Sequence, residues 1–396
     1  MPLRYLTAGE SHGPMLTAIL EGMPAGMPLC EEDIADDLAR RQTGYGRGGR
    51  MSIEKDTARI TSGVMAGQTT GGPIALIVEN RDWQNWREKD ITPFTIPRPG
   101  HADLTGAIKY GYRDLRLSLE RASARETAAR GAVAAICRLF LEQFGIRIGS
   151  YVTMIGGVTA ILPPIMTDDE YLARFRAAEE SDVRCPAPQA SEAMHARIRE
   201  AIQEKDTLGG IIEVVAIGVP PGLGSYVSAD RRLDARLLGA MGTIPAVKGA
   251  EIGAAFDQAA MQGTQVHDPI IVDEQGNLTR ASNRAGGLEG GITTGQPIIV
   301  RGAMKPISTT LTPIPSVDLA TGERADTVYE RSDFCAVPRA AVVGEGVVAT
   351  VLADALIEKL GGDSIGEMRP RFEALRKSRL SDVPMDNEAW RFGFSD

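Results

Sequence analysis

The sequence predicts an α+β fold, in which short strands and long helices are mixed. Several runs are rich in Ile and Val, as strands are, and glycine doublets lie at the ends of segments. Other stretches repeat apolar residues at helical spacing. Because the two patterns do not alternate one by one, an α+β architecture is favoured over a doubly wound sheet.

Three segments have the composition of strands. They are PIALIVEN (73–80), IIEVVAIGV (211–219) and QPIIVRGAM (296–304), and each is rich in Ile and Val. Glycine doublets at 71–72 and 209–210 come just before two of them. Since glycine adopts backbone conformations closed to other residues, such doublets mark tight turns or backbone that approaches a ligand.

The clearest helix is predicted after Ser123. Ser123 and Glu126 have capping-box spacing, in which the hydroxyl accepts a backbone N–H and the glutamate reaches back. Before the stop signal at Gly145, the apolar residues fall on one helical face: Ala129, Ala132, Val133, Ile136, Phe140 and Phe144. Further helices are predicted at 31–41, 191–205, 232–241 and 340–360. The last is apolar almost all round, so we expect it to be buried.

The composition is that of a globular protein with an acidic charge balance. The chain has 396 residues, with 43 Lys+Arg, 52 Asp+Glu and a formal net charge of −9. This balance argues against a dedicated nucleic-acid binder, which would carry a basic face. No repeat or long linker divides the chain, so one domain over 1–396 is predicted, with a loosely held polar tail at 381–396.

The sequence predicts a cytoplasmic protein without a membrane segment. The start, MPLRYLTAGESHG, lacks the pattern of a signal peptide. The longest run without a charged residue, 148–167, is broken by glycine and proline and is predicted as strand and turn. The cysteines form no CxxC pair, which suits a reducing compartment and argues against zinc: Cys30, Cys137, Cys185 and Cys335.

Two histidines are candidate catalytic residues because glycine flanks them. His12 lies in GESHG and His101 in RPGHAD. Glycine beside an imidazole leaves room for a ligand, and histidine is the commonest general acid or base near neutral pH. His195, in a charged helix, and His267, in a polar loop, are interpreted as ordinary surface residues. Neither candidate has carboxylates or cysteines at metal-ligand spacing, so a metal is not expected.

Arginine is concentrated in a few glycine-rich loops. The stretch RRQTGYGRGGR (40–50) has four arginines and four glycines, and further arginines accompany His101, Ser123 and Asp333. Guanidinium groups bind carboxylate and phosphate bidentately, and few carboxylates stand nearby in sequence to pair them. A solvated surface is one alternative. A site for single-stranded nucleic acid is another, but the stretch has a single aromatic residue, Tyr45. A pocket for a small polyanion is favoured.

Two other segments carry polar groups that suit the same ligand. KPISTTLTPIPS (305–316) is a lysine followed by hydroxyls and prolines, which is either a solvated loop or a set of donors for a phosphate. Asp333 lies between arginines in RSDFCAVPR. An aspartate in that setting is usually an ion-pair partner and becomes catalytic only with a proton-bearing group within reach.

Nine segments, in order along nearly the whole chain, closely resemble the chorismate synthase family: GESHG (9–13), RRQTGYGRGGRM (40–51), RPGHADLTGAIKYGYRD (98–114), ERASARETAARGA (120–132), DTLGG (206–210), KGAEIG (248–253), NRAGGLEGG (283–291), MKPIST (304–309) and RSDFCAVPRA (331–340). The resemblance implies a β-α-β sandwich with long helices between antiparallel sheets, and a homotetramer. It implies an anti 1,4-elimination of phosphate from 5-enolpyruvylshikimate 3-phosphate to give chorismate, which requires reduced FMN.

The resemblance also implies which residues form the site. The substrate contacts it implies are Arg41, Arg47, Arg50, Arg98, Arg125 and Arg331. The flavin contacts it implies are Arg121, Ala122, Ser123, Pro245, Ala246, Gly290, Lys305, Pro306, Ile307, Ser308, Thr309 and Arg331. Relatives commonly have serine at the place of Ala122 and a polar residue at the place of Pro245. Contacts from those positions therefore have to come from backbone atoms or packing, and proline has no N–H to donate.

The mechanism implied by this resemblance uses three of these side chains. His12 is expected to donate a proton to the departing phosphate, and His101 to protonate or stabilise the reduced flavin ring. Asp333 is expected to relay a proton at the flavin N5. The protein would mainly place the reactants and supply the field, while the cofactor performs the difficult step.

Two alternatives remain open at this point. The chain could be a flavin oxidoreductase that uses NADPH, with Arg41 and Arg47 as NADP contacts, although no GxGxxG follows a predicted strand. It could also be a non-catalytic binder of phosphorylated ligands or RNA.

Overall fold

Two antiparallel sheets enclose a layer of helices in the computed structural model, which describes residues 2–48, 55–165, 167–330 and 332–393. The strands are β1 (Arg4–Ala8), β2 (Met15–Glu21), β3 (Ala58–Ser62), β4 (Val64–Met65), β5 (Gln68–Thr69), β6 (Ile74–Glu79), β7 (Arg147–Ile155), β8 (Val158–Thr159), β9 (Gly210–Ile217), β10 (Val247–Ile252), β11 (Ile270–Val272), β12 (Leu278–Arg280), β13 (Leu288–Glu289), β14 (Ile292–Thr293), β15 (Ile298–Met304), β16 (Pro315–Val317) and β17 (Arg324–Asp326). The helices are α1 (Glu31–Arg41), α2 (Asp103–Tyr110), α3 (Arg116–Ala122), α4 (Thr127–Glu142), α5 (Asp168–Glu180), α6 (Pro188–Glu204), α7 (Leu233–Gly242), α8 (Ala255–Gln258), α9 (Gly263–Val266), α10 (Val337–Leu360) and α11 (Ile365–Glu373).

The larger sheets are each antiparallel throughout. One has the strand order β1-β2-β6-β3, and the other has the order β10-β15-β9-β7-β8. Helix α4 packs on β2 and β6 of the first sheet, whereas α10 packs on β7 and β9 of the second. The two helices also pack on each other. The predicted α+β class and the sandwich of helices between antiparallel sheets are therefore confirmed.

Small residues allow the two central helices to approach closely. Ala128, Ala129 and Ala132 of α4 are fully buried. On α10, a Cβ added to Gly346 would lie 2.7 Å from the Cβ of Ala134. Since real Cβ atoms do not approach so closely, any larger residue at Gly346 would push the helices apart.

The predicted elements are present with small shifts at their ends. The segments 73–80, 211–219 and 296–304 contain strands β6, β9 and β15. The prediction at 31–41 matches α1, and the other predicted helices correspond to α6, α7 and α10. The predicted polar tail is exposed from 384 through Gly393, where the description ends, and its loose attachment stays a prediction.

The capping-box prediction was half wrong. The Ser123 hydroxyl does accept a hydrogen bond, from the N–H of Arg125, but it caps a 3₁₀ turn (Ala124–Glu126) that precedes α4. The Glu126 carboxylate accepts instead from the hydroxyl of Thr7, 2.8 Å away on β1. This tertiary partner ties the start of α4 to the first sheet. Gly145 ends the helical region, with φ +76°.

Helix α10 is the core helix that the sequence predicted. It is long and apolar enough to cross a membrane by length and composition, yet 72% of that apolar window is buried inside the protein. It also carries Glu345, which is 2% exposed. Oε2 of Glu345 lies 2.8 Å from Nη1 of Arg40. Oε1 lies 3.2 Å from Nη2 of Arg184 and accepts from the Ser150 hydroxyl at 2.6 Å. The helix is thus anchored by charge as well as by packing.

Candidate active site

A cavity of about 440 Å³ lies where the ends of several elements meet, a size typical of sites for small molecules. Its lining comes from the end of α1, the loop before α2, the junction of α3 and α4, the loop between α7 and β10, the segment after β15, and the first turns of α10. The sandwich brings these distant segments of the chain together.

The structure brings most of the predicted site residues to this one cavity. The lining includes the predicted catalytic residues His12, His101 and Asp333, and the predicted substrate contacts Arg41, Arg98 and Arg125. It also includes the predicted flavin contacts Ala122, Ser123, Pro245, Ala246, Lys305, Ile307, Ser308 and Thr309. Arg50 and Arg331 lie outside the residues that the structure describes.

Four predicted residues do not line the cavity. Arg47 donates to the carbonyl of Gln42 at 3.3 Å, and Arg121 donates to the carbonyl of Thr7 at 2.8 Å. Pro306 lies in the lining segment after β15 without belonging to the lining itself. Gly290 lies in the turn between β13 and β14, with φ +58°. Their roles stay predictions from the resemblance.

His12 is held by a carboxylate from another element. Its Nδ1 lies 2.8 Å from Oε1 of Glu120 on α3, and its backbone N–H donates to Oε2 of Glu120 at 2.7 Å. The imidazole also lies against Trp86, with ring centroids 4.1 Å apart. Because the carboxylate is an acceptor, Nδ1 carries a hydrogen that it donates to Glu120.

Glu120 is suited to this role because it stays ionised. Burial alone would raise the pKa of Glu120, but hydrogen bonds from His12 and the charge of Arg116 hold that pKa below its ordinary value. Arg116 Nη1 is 3.7 Å from Glu120 Oε1. The guanidinium of Arg116 also lies over the Trp86 ring, 5.6 Å from its centroid. Trp86 and Glu120 thus each contact both His12 and Arg116.

His101 is held by a carboxylate from its own loop. Asp103, which is fully buried, accepts from His101 Nδ1 at 2.6 Å and from Arg98 Nε at 2.8 Å. Arg98 Nη2 is 3.0 Å from the same imidazole nitrogen, and the shorter contact assigns that hydrogen to Asp103. Arg98 also donates to the hydroxyl of Thr309 at 3.0 Å. Burial opposes ionisation of Asp103, but its bonds to His101 and Arg98 hold its pKa well below the ordinary value.

Asp56 joins two of the predicted substrate arginines. Its carboxylate oxygens lie 2.5 Å from Arg41 Nη2 and 2.6 Å from Arg125 Nη1. Burial would raise the pKa of Asp56, but the charges of Arg41 and Arg125 hold it below the ordinary value. Arg41 also donates to the hydroxyl of Thr127 at 3.1 Å. Asp56 thus holds the two guanidinium groups side by side at this end of the cavity.

Asp333 lies between a backbone donor and a cation. Its Oδ1 accepts from the N–H of Gly48 at 2.7 Å, and its Oδ2 is paired with Arg339. Burial and the charges of Arg41 and Arg47 lower the pKa of Arg339 to about 9, while its contact with Asp333 acts in the opposite direction. We expect Arg339 to remain charged at neutral pH.

The segment after β15 supplies polar groups to the opposite part of the lining. Lys305 Nζ donates to the Ser308 hydroxyl at 3.1 Å, and burial, with the charge of Lys248, lowers the pKa of Lys305. Gly100 lies beside these groups with φ +77°, a backbone conformation that other residues rarely adopt. Lys305 N–H donates to the carbonyl of Ala246, whose φ of +68° is rare for a residue with a side chain.

Sequence reasoning missed the carboxylates that hold the predicted residues. Asp103 was detectable, since it stands two residues after His101 in the quoted motif. Glu120 precedes the arginine of the predicted flavin segment, but nothing in the sequence pairs it with His12, 108 residues away. Asp56 and Trp86 belong to none of the motifs.

Fold and cavity together define a small-molecule site lined by guanidinium groups and two carboxylate-held histidines. The comparisons show the family. The family model described as chorismate synthase matches residues 3–357. The chorismate synthase of Aquifex aeolicus (strain VF5) is 54% identical over 387 residues, covering 94% of this chain and 96% of that protein. The chorismate synthase of Chlorobaculum tepidum is 52% identical, covering 94% and 98%. A crystal structure of chorismate synthase has 47% identity and a TM-score of 0.78, covering 94% of this chain and 97% of that one. The chain therefore belongs to the chorismate synthase family and is a lyase that eliminates phosphate.

Proposed function

We propose that this protein converts 5-enolpyruvylshikimate 3-phosphate to chorismate and phosphate by an anti 1,4-elimination, with reduced FMN as cofactor. The observation that carries the proposal is the convergence of Arg41, Arg98 and Arg125 with His12 and His101 on one cavity. The reaction serves the shikimate pathway and thus aromatic amino-acid biosynthesis.

The substrate's charge matches the lining. It carries one phosphate and two carboxylates, and bringing them out of water is costly unless cations replace the lost hydration. Asp56 binds both Arg41 and Arg125, and the two guanidinium groups line the cavity that would receive the substrate's anionic groups. Arg98 is paired with Asp103 and contributes through its remaining donors. We assign these three arginines to the substrate, with Arg47, Arg50 and Arg331 as further contacts on the resemblance.

The other part of the lining fits a flavin. Apolar side chains offer a surface for a planar ring: Leu119, Ile244, Pro245, Ala246, Met304 and Val343. Lys305 and the hydroxyls of Ser308 and Thr309 offer donors for polar edges or a phosphate. When bound, reduced FMN supplies an electron-rich ring that promotes loss of phosphate and takes up the hydrogen lost from the substrate. Arg121, Ala122, Ser123, Gly290, Pro306 and Ile307 complete the proposed flavin contacts.

Three side chains then handle protons. His12, as the imidazolium, donates a proton to the departing phosphate, while Glu120 accepts from Nδ1 and keeps the ring in place. His101 would stabilise the reduced ring through a hydrogen bond, and Asp103 would hold the His101 imidazole at Nδ1. Asp333 would relay a proton to or from the ring when the cofactor is bound.

An anaerobic assay tests the proposal directly. The protein is mixed with enolpyruvylshikimate phosphate and photoreduced FMN, and phosphate release is measured. Release that requires reduced flavin supports the enzyme. Salt-sensitive RNA retention without phosphate release would instead support a non-catalytic binder.

A second assay addresses the source of electrons. The protein is supplied with substrate, FMN and NADPH in air, without another reductant. Turnover under these conditions would show that it also reduces its own flavin, with Arg41 and Arg47 as candidate NADP contacts.

We further propose a homotetramer in the cytoplasm. The family resemblance supports the assembly. Free thiols at Cys30, Cys137, Cys185 and Cys335 are consistent with a reducing compartment. Light scattering of the purified protein tests the assembly, and a monomer at assay concentration would contradict it.

A further inference from the structure

Tyr45 and His195 stack against each other outside the cavity lining. Their ring centroids are 3.6 Å apart and their planes differ by 23°. The sequence presented Tyr45 as the one aromatic residue of the arginine-glycine stretch and His195 as an ordinary surface histidine. The structure makes them one contact, which connects helix α6 to the stretch that enters the cavity.

His195 is a fixed platform for this stack. Its Nε2 lies 3.3 Å from Oδ2 of Asp182, and its Nδ1 lies 3.2 Å from Nη2 of Arg199. Because a guanidinium only donates, Nδ1 accepts and Nε2 carries the hydrogen that faces Asp182. Asp182 also accepts, through its backbone carbonyl, from the N–H of Tyr45 at 2.8 Å. Ring and backbone of Tyr45 are therefore held by neighbouring groups.

The residues on either side of Tyr45 are glycines, and the turn that they form packs closely on its neighbours. Gly44 and Gly46 have φ of +117° and +84°, which other residues rarely adopt. A Cβ on Gly46 would lie 3.1 Å from the Cβ of Cys335. The carbonyl of Gly46 accepts from the N–H of Phe334 at 2.8 Å. The turn at 44–48 thus packs directly on the segment that carries Asp333.

The 44–48 turn ends at Gly48, which lines the cavity. The N–H of Gly48 donates to Oδ1 of Asp333, and both residues line the cavity. The other carboxylate oxygen is paired with Arg339. Without the Gly48 donor, the ion pair with Arg339 would be the contact left to the carboxylate among the described residues, and its rotation would be less restricted.

We propose that Tyr45 and His195 are positioning residues, whose stack fixes the 44–48 turn and thereby the Gly48 N–H that orients Asp333. The inference rests on the proposed function only where it concerns the proton relay by Asp333. The orientation of the turn is a separate, measurable quantity.

Amide hydrogen exchange tests the positioning without reference to activity. In Tyr45→Ala and His195→Ala, we expect exchange of the 44–48 amides to accelerate about tenfold, because the turn opens more readily. Tyr45→Phe retains the ring and should exchange like the wild type. His267→Ala, a histidine in a loop away from the site, is the matched control. Unchanged exchange in both alanine variants would overturn the proposal.

Turnover tests the consequence for Asp333. Phosphate release by His195→Ala should have a kcat about tenfold lower with little change in KM, and the same replacement in an Asp333→Asn protein should lose no more than about twofold. Equal losses in both backgrounds would mean that the stack only supports the fold, and would overturn the role. The His195 side chain is 28% exposed, so its truncation should leave the core intact. His195→Ala therefore keeps the proposal testable if Tyr45→Ala fails to fold. If the wild type released no phosphate, the proposed function would be contradicted. Amide exchange at 44–48 would then decide by itself whether the stack positions the turn.

Discussion

His12 and His101 are each held at Nδ1 by a carboxylate, but the two carboxylates differ in origin and in duty. Glu120 comes from α3, far along the chain, and also binds the backbone N–H of the His12 loop. Asp103 stands two residues from His101 and is shared with the buried guanidinium of Arg98. The two dyads therefore differ in what they depend on. The His12–Glu120 dyad depends on tertiary packing, whereas Asp103 of the second dyad also neutralises a buried charge.

Replacing the histidines is the strongest test of this comparison. His12→Ala should lower turnover by about 10²–10⁴, the usual contribution of a general acid, and His101→Ala should have a smaller effect. Anaerobic phosphate release under single-turnover conditions measures both, with His267→Ala as control. Full turnover by His12→Ala with chemistry rate-limiting would refute its role.

Replacing the carboxylates should separate the two dyads by stability. Asp103→Asn should lower the free energy of unfolding by about 3–5 kcal/mol, because Arg98 would be left buried without a counter-charge. Glu120→Gln should cost only about 1 kcal/mol, since a neutral acceptor remains for His12. Urea unfolding at pH 7 provides the measurement. Similar losses in the two variants would erase the distinction.

Replacing Glu120 should affect catalysis more than it affects the free energy of unfolding. Glu120→Gln should lower kcat about tenfold with little change in KM, because a neutral amide stabilises the proton-donating imidazolium less than a carboxylate does, while the substrate arginines are untouched. Glu120→Asp, which keeps the charge, is the matched variant and should recover part of the loss. A change confined to KM would assign Glu120 to substrate binding instead.

Acid should weaken the second dyad in a defined pH range. The folded state holds the pKa of Asp103 well below its ordinary value of 3.8, so the ionised form stabilises the fold. This contribution is complete above the unfolded pKa and is lost as the pH falls through the folded pKa. The difference in unfolding free energy between wild type and Asp103→Asn should therefore be constant from pH 8 to about 5 and shrink from about 4 to 2. A difference that grows on acidification would contradict the assignment.

Trp86 offers the smallest effect. Trp86→Phe keeps an aromatic ring beside His12 and should change turnover by no more than about threefold. Trp86→Ala removes that contact and should cost more. Steady-state phosphate release distinguishes the two, and equal activities would show that the ring does not help to place His12.

The sequence predicted the fold well because the pattern of each element is local. Strand β6 follows from its Ile and Val residues, and the apolar face of α4 follows from its spacing. The arginines and histidines of the site stood out because glycine surrounds them. Long-range pairings left no such signal. The bond from Glu126 to Thr7 replaced the expected cap, and the links of Glu120 to His12 and of Asp56 to Arg125 depend on how the sheets and helices pack.

Glu345 has a consequence for how similar sequences are interpreted. Hydropathy ranks α10 with lipid-spanning segments, but a carboxylate at the centre of a bilayer costs about 2.5–3.5 kcal/mol even by insertion measurements. Here two arginines and a serine compensate that carboxylate from within the protein. A buried acidic residue in an otherwise apolar helix, with basic partners elsewhere in the chain, is thus a practical marker for telling an interior helix from a membrane anchor.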